Sequence, residues 1–418
     1  MRRDRLSDDG DHQAKADFAS IVAGSHVTLV ADDLTGACDA GALFAGRGPV
    51  AIVVDPASPG LEWPVAAVDT ESRAMAASEA ALAVAAAAKR LRPRSERGLL
   101  FKKIDSTLRG AVGAETETLL EASGRRMALV CPAFPAQGRT VVDGVLLVNG
   151  TPAHVSPIAR DPAYPGPGSS IIEVVRRGAS HAVGFLSLVR VRGGHDGLVR
   201  VLHEGRERIV VADAETDGDL AALARAALGC GDVLPVGSAG LAGAVAVASG
   251  YASAPVDLPK GRAWLIVAGS LHPATRVELR RLEAAGTLGA WLHEGQSGVD
   301  TASLVDQIRK GRSVFVASDD AVSVEPGARE ATAARLGGLG ARILAESQPD
   351  LVVVTGGDTA VALLRAVGAR QIELEGAPAS GLALGRAIGG ARPFPLLTKA
   401  GGFGAPELFS RVLEDIPS

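Results

Sequence analysis

Short apolar runs alternate with alanine-rich amphipathic stretches along this chain, and that alternation constrains the fold more than any other feature. It is the pattern of β-α-β units, in which helices cover both faces of a parallel sheet. His26–Ala31, Val50–Val54, Val65–Val68, Leu99–Lys103, Met127–Val130, Ile209–Ala212 and Val233–Val236 read as strands. Ala37–Ala45, Ala77–Arg90, Gly113–Ala122 and Gly240–Ala248 read as helices. A break at Tyr251–Gly261, with Pro255 and Pro259, precedes a second series: Trp264–Ala268, Ala290–Leu292, Ser313–Ala317, Leu351–Thr355, Gln371–Leu374 and Leu396–Thr398. With 418 residues the chain exceeds one ordinary core. The expected fold is α/β in two domains, 26–254 and 255–418, each a largely parallel sheet flanked by helices. Residues 1–25 are charged, lack an apolar core and read as a flexible tail.

The stretch from Pro132 to Ser170 departs from the alternation. Its proline density precludes a regular helix, and Val145–Val148 followed by Asn149-Gly150 signals a β-turn. It reads as an ordered excursion.

Several strands end in residues suited to chemistry. Leu351–Thr355 runs into Gly356-Gly357-Asp358-Thr359, and Phe394–Thr398 runs into Lys399-Ala-Gly401-Gly402-Phe-Gly404. A glycine turn entering a helix exposes backbone N–H groups at the positive end of the helix dipole, which suits a phosphate. Lys399 adds a charge beside the second turn. After Trp264–Ala268 comes Gly269-Ser270, whose hydroxyl suits either a phosphate or a helix cap. In the N-terminal half, the first strand ends in Asp32-Asp33, with Thr35 expected to cap the next helix. Arg73 follows the third strand as an anion anchor. Lys103, Asp105, Ser106, Thr107 and Arg109 crowd one turn after the fourth. Charges so concentrated beside buried strands need a ligand or each other. Lys and Arg suit a carboxylate, and Asp and Ser suit hydroxyls. Arg139 and Arg160 stand out in the excursion.

Other classes find no support. The formal net charge is −4, and aromatics, at 3%, do not interleave with Lys and Arg, so no nucleic-acid surface is expected. The three cysteines, Cys38, Cys131 and Cys230, form neither a metal-ligand pair nor a disulfide framework, which fits a reducing cytoplasm. No apolar run is long enough for a membrane helix. There is no P-loop motif, and Gly402-Phe-Gly-Ala-Pro-Glu is a poor dinucleotide fingerprint.

The segments Ala31–Ala37, Thr70–Arg73, Lys102–Gly110, Cys131–Ala136, Gly138–Thr140, Val148–Gly150, Arg160–Pro162, Val236–Ala242, Thr355–Thr359 and Thr398–Gly404 together resemble, in order, the four-carbon acid sugar kinase family. The resemblance implies a cytoplasmic, ATP-dependent transferase of carbohydrate metabolism that phosphorylates threonate, erythronate or 3-oxo-tetronate. It implies a sugar-acid-binding N-terminal domain and an ATP-binding C-terminal domain. Asp32 or Asp33, Arg73 and Lys103-Ile104-Asp105-Ser106 would contact the acid. Ser270, Gly356–Thr359 and Gly401 would contact ATP.

Residue chemistry and resemblance agree on phosphoryl transfer, which works mostly by positioning and charge stabilisation. Arg73 and Lys103 would clamp the carboxylate, with Arg109 and Arg160 nearby. Asp105 or Asp33 would accept the proton of the terminal hydroxyl, Asp105 being narrowly favoured. Mg²⁺ would bridge the phosphates with Asp358 as a ligand, and Lys399 would offset charge on the transferring group. The expected partner is a small sugar acid rather than nucleic acid or membrane, and a homodimer is left open. The rivals are an NAD-dependent oxidoreductase of sugar acids and a non-catalytic sugar-acid sensor. The first lacks a dinucleotide fingerprint, and the second has no need of a phosphate-cradling domain.

Overall fold

The structure is a computed structural model that describes residues 26–54, 62–95, 98–160, 170–293, 298–319 and 326–400. The expected tail, residues 1–25, lies outside them. From the N-terminus, β1 (Val27–Ala31), α1 (Leu34–Ala42), β2 (Val50–Val53), β3 (Val65–Asp69), α2 (Ala77–Ser95), β4 (Leu99–Lys103), α3 (Val112–Ser123) and β5 (Met127–Cys131) follow the predicted alternation. Then come the short strands β6 (Arg139–Val142), β7 (Val145–Val148) and β8 (Thr151–Pro152), and α4 (Ile171–Arg176), β9 (Val183–Leu186), α5 (Leu188–Val191) and α6 (His195–Glu204). β10 (Ile209–Ala212), α7 (Asp217–Cys230), β11 (Val233–Gly237) and α8 (Ala239–Ala248) complete the first half. The second half contains β12 (Trp264–Ala268), α9 (Pro273–Ala284), β13 (Leu288–Leu292), α10 (Thr301–Arg309), β14 (Val314–Ser318) and α11 (Pro326–Glu346). It ends with β15 (Leu351–Thr355), α12 (Gly357–Ala366), β16 (Ala369–Gly376), β17 (Leu382–Gly389) and β18 (Phe394–Lys399).

Two compact units result. One takes the chain through Asp32 together with Trp63–Ala252; the other takes Asp33–Glu62 and the chain from Ser253. Residues 33–62 thus cross early into the second unit. The cause is strand pairing: β2 lies antiparallel on β16, with Val53 opposite Gln371 and Val50 opposite Leu374. α1 packs on α12 and on β16–β18.

The main sheet of the first unit is all parallel, in the order β3-β1-β4-β11-β5-β10-β9. Every residue of β1, β4, β5, β10 and β11 is buried, as expected for strands covered on both faces. The excursion forms a separate antiparallel sheet, β6-β7-β8. Its second turn is the expected Asn149-Gly150, at φ 49° and 78°. Its first, Asp143-Gly144, has the same left-handed pair at 51° and 70°.

In the second unit β13-β14-β12-β15-β18 run parallel, and β17, β16 and β2 continue antiparallel. β9 and β17 are strands that the apolar pattern does not show. β17 reads Leu-Ala-Leu-Gly-Arg-Ala-Ile-Gly, and its two glycines and arginine hide the alternation.

Candidate active site

β1 lies between β3 and β4 in register, with Ala31 opposite Asp69 and Lys103. The three strands therefore deliver Asp32, the Thr70–Arg73 loop and the Ile104–Gly110 loop to one edge. Arg73 grips Asp32 with both arms of its fork, Nε to Oδ2 and Nη2 to Oδ1, each at 2.8 Å. Burial pushes the Asp32 carboxyl up, but Arg73, Lys102 and Lys103 outweigh it and hold the group below the usual carboxylate range.

Asp105 is more heavily engaged. Its Oδ2 accepts from the Thr107 hydroxyl and backbone N–H, and from the Arg109 backbone N–H and Nε at 2.9 Å. Its Oδ1 accepts from Arg109 Nη2 at 3.0 Å. Burial opposes ionisation here too, yet Arg109, Arg73 and Thr107 hold Asp105 well below the ordinary range. Arg139, on β6, is close enough to feel both Asp105 and Arg109. Four cations, Arg73, Lys103, Arg109 and Arg139, thus surround two carboxylates among the described residues. Such an excess attracts an anion.

Adjacent lysines on β4 point to opposite faces. Lys102, fully buried, meets Glu115 of α3 at 2.6 Å. The other Glu115 oxygen accepts from Ser72 at 2.9 Å, and Ser72 shares a 2.7 Å hydrogen bond with Thr70. This network anchors the loop that carries Arg73. Lys103 faces the other way, and its Nζ donates to the Ile104 carbonyl at 3.1 Å. Beside it the Ser106 hydroxyl, 3% exposed, has no hydrogen-bond partner among the described residues. Gly110 lies at φ 93°, and a Cβ there would sit 3.4 Å from Asp32 Oδ2. Glu71 and Leu108 take left-handed φ values of 51° and 66°. Backbone held in that region is costly and clusters where a loop serves a ligand.

The second unit places the turns after β12 and β15 beside the end of β18. β15 separates the other two, with Thr355 opposite both Ala268 and Lys399. α12 starts at Gly356, φ 100°, with no side-chain cap. The first-turn N–H groups of a helix have no intrahelical partner, so they remain available to an acceptor. A Cβ on Gly356 would lie 3.3 Å from Ser270 N, and one on Gly269 would run into the Thr359 hydroxyl. The two turns are therefore packed at glycine distance. A Cβ on Gly357 would lie 3.2 Å from Asp33 Oδ2. Asp33 caps α1: its Oδ1 accepts from Gly36 N at 2.9 Å, and its Oδ2 from Thr35 Oγ1 at 2.6 Å. The expected capping role of Thr35 is thus corrected. Asp33 precedes it and starts the helix at Leu34, three residues before the expected Ala37.

Ser270 does not cap α9, as His272 does; its Oγ accepts from His272 N at 3.3 Å. Asp358 is exposed in the first turn of α12. Lys399 Nζ donates to the Thr275 hydroxyl at 3.1 Å. Among the described residues no group of three acidic, histidine or cysteine side chains could hold a metal. A magnesium ion carried on phosphates needs only one or two carboxylates, and Asp358 fits that requirement.

The structure brings Asp32, Arg73, Lys103, Ile104, Asp105, Ser106 and Arg109 to one edge of the first unit. It brings Asp33, Ser270, Gly356, Gly357, Asp358, Thr359 and Lys399 to strand and helix ends of the second. Asp32 and Asp33, adjacent in sequence, belong to different units. Gly401, Gly402 and the side chain of Arg160 lie outside the described residues. Lys102, Glu115 and Ser72 escaped sequence reasoning, although the doubled lysine on β4 was a signal. So did the orphan carboxylate of Glu278 on α9, which has none.

Two family models match the chain: a sugar-binding N-terminal domain over residues 27–245 and a nucleotide-binding C-terminal domain over residues 265–409. The chain is 35% identical to a D-threonate kinase of Bordetella bronchiseptica, over 94% of this chain and 98% of that one. It is 33% identical to a D-erythronate kinase of Heliobacterium modesticaldum, over 90% of this chain and 94% of that one. A solved structure from Salmonella typhimurium superposes with a TM-score of 0.76 at 22% identity, covering 94% of this chain and all of the other, which supports the fold. No helix among the described residues is long and apolar enough to cross a membrane.

Proposed function

We propose, from the premise that this chain belongs to the four-carbon acid sugar kinase family, that it transfers the γ-phosphoryl group of ATP to the terminal hydroxyl of a four-carbon sugar acid. Threonate is the first substrate to test and erythronate the second. The observation that carries this reading is the excess of four cations, Arg73, Lys103, Arg109 and Arg139, over the two carboxylates Asp32 and Asp105 at the ends of β1, β3 and β4, beside the Ser106 hydroxyl, which has no hydrogen-bond partner among the described residues. A neutral sugar would leave that excess unanswered; an aldonate carboxylate answers it.

Lys103, with Arg73 and Arg139, binds the carboxylate, and Ser106 binds a substrate hydroxyl. Asp32 and Asp105 act as orienting partners: each locks an arginine fork in place. Asp105 is a poor base, because its lone pairs are taken and its proton affinity is low. We therefore assign the orientation and deprotonation of the acceptor hydroxyl to Asp33, which stands against Gly357. The uncapped start of α12 and Ser270 hold the phosphates, and Lys399 supplies a compensating charge. Mg²⁺, with Asp358 as its protein ligand, would neutralise phosphate charge.

The test is an ADP-release assay over threonate and erythronate stereoisomers, 3-oxo-tetronate and the matching neutral tetritols, with ATP and Mg²⁺. The reading expects turnover with at least one acid and none with the tetritols. Turnover of a tetritol at a comparable rate, or of no acid at all, refutes it.

A further inference from the structure

Glu278 is a costly polar group for the second unit to keep. It is 4% exposed, and among the described residues neither carboxylate oxygen has a hydrogen-bond partner. It sits on α9 beside Leu279, which with Leu282 belongs to an apolar cluster with Ile266, Phe315 and Val353. A carboxylate buried without hydrogen bonds is kept only where a charge elsewhere repays it. One turn earlier on the same helix, Thr275 is fully buried and accepts from Lys399 Nζ. Residues three apart share a helix face, so Thr275 and Glu278 lie side by side. Lys399 ends β18 at 2% exposure. The cations acting on Glu278 are Lys399, from β18, and Arg281, from its own helix. Arg276, on the same helix, instead donates to the Ser318 carbonyl and hydroxyl and the Asp319 carbonyl.

We propose that Glu278 is the positioning residue that keeps Lys399 charged at the end of β18, ready for an anionic phosphate. The inference rests on the reading that Lys399 serves a nucleotide. The directions of titration agree with the geometry. Burial pulls the Lys399 ammonium down to about 8, and Glu278 acts against that pull. Burial pushes Glu278 up to about 7, restrained by Lys399 and Arg281. Without the carboxylate, burial acts on Lys399 unopposed, and its proton leaves at lower pH. A neutral amine offers a phosphate far less. Thr275, being uncharged, orients Lys399 and acts on its titration only through one neutral hydrogen bond, weaker than a full charge.

Calorimetric affinity of the intact protein for MgADP, measured from about pH 6 to about 9.5, tests this. In the parent protein affinity should weaken as pH rises past about 8, the value at which Lys399 titrates. Lys399→Met should bind weakly with no such weakening. Glu278→Gln should move the weakening down by at least about half a pH unit, and Glu278→Asp should move it part of the way. Thr275→Val should lower affinity and move the weakening less than either Glu278 variant does. If Glu278→Gln does not fold, Glu278→Asp against Thr275→Val makes the same comparison. An unmoved pH dependence in both Glu278 variants, with Lys399→Met still flat, overturns the proposal alone. Parent-like affinity and pH dependence in Lys399→Met overturn the reading of Lys399 as well.

Discussion

At the scale of single residues, hydrogen-bond occupancy separates aspartates that the sequence leaves equivalent. Asp105 accepts from Thr107 and both ends of Arg109. Asp33 caps α1, accepting from Gly36 N and Thr35 Oγ1, and stands against the glycine turn at Gly357. Asp33→Asn is therefore expected to cut kcat by about 10² to 10⁴-fold with little change in KM. Asp105→Asn should instead raise KM for the acid, because it frees Arg109. Steady-state kinetics on both variants decides, and a kcat loss confined to Asp105→Asn would reverse the assignment. Glu278 makes a separate stability prediction. Its folded value of about 7 lies above the ordinary range of a glutamate carboxyl. The group therefore contributes stability that is fully present below about pH 4.5 and lost as pH rises through 7, by up to about 3 kcal/mol. Thermal melts of the ligand-free protein between those limits should show a downward slope that Glu278→Gln flattens; a parallel slope in the variant excludes this linkage.

At the scale of elements, the start of α12 depends on a conformation as well as on space. Gly356 lies at φ 100°, a region closed to β-branched residues, and a Cβ there meets Ser270 N. Gly356→Val should abolish nucleotide binding by calorimetry and leave binding of the sugar acid within a few-fold of the parent; retained nucleotide affinity would remove the turn from the site. The loop after β3 depends on a different device. The Lys102–Glu115–Ser72–Thr70 network holds Arg73's loop from a fully buried ion pair. Ser72→Ala should raise KM for the acid several-fold, with KM for ATP unchanged. Equal effects on both would make the network a general stabiliser. Sequence periodicity made strands such as β4, β12 and β15 legible to the residue, because continuous apolar runs leave few readings. The glycines after β15 made the strand-to-helix turn at Gly356 legible for the same local reason. What stayed hidden is non-local. Which carboxylate a neighbouring arginine consumes, as Arg109 does Asp105, depends on how a loop closes. The partner of β2 depends on a strand some 320 residues later in the chain, as the pairing of Val53 with Gln371 shows.

At the scale of the whole molecule, that last pairing changes what counts as a domain. A C-terminal piece beginning at Ser253 contains β12–β18 but neither α1 nor β2. Without them β16 loses its antiparallel partner from Gln371 to Leu374, and the inner faces of α12, β16 and β17 lose α1. The missing segment includes Leu34, Phe44, Val50, Ile52 and Val53, each at most 2% exposed. At about 1.5–3 kcal/mol for each large apolar side chain, the lost burial is on the order of 10 kcal/mol. That equals the whole stability of an ordinary domain. A fragment 253–418 should therefore show no cooperative thermal transition and should bind a dye specific for exposed apolar surface. Placing residues 33–62 ahead of it through a flexible linker should restore a cooperative transition and suppress dye binding, since segment and unit then form one core. A fragment 253–418 that melts cooperatively by itself would show that α1 and β2 are accessories, and the early crossing of the chain would then have no role in holding the unit together.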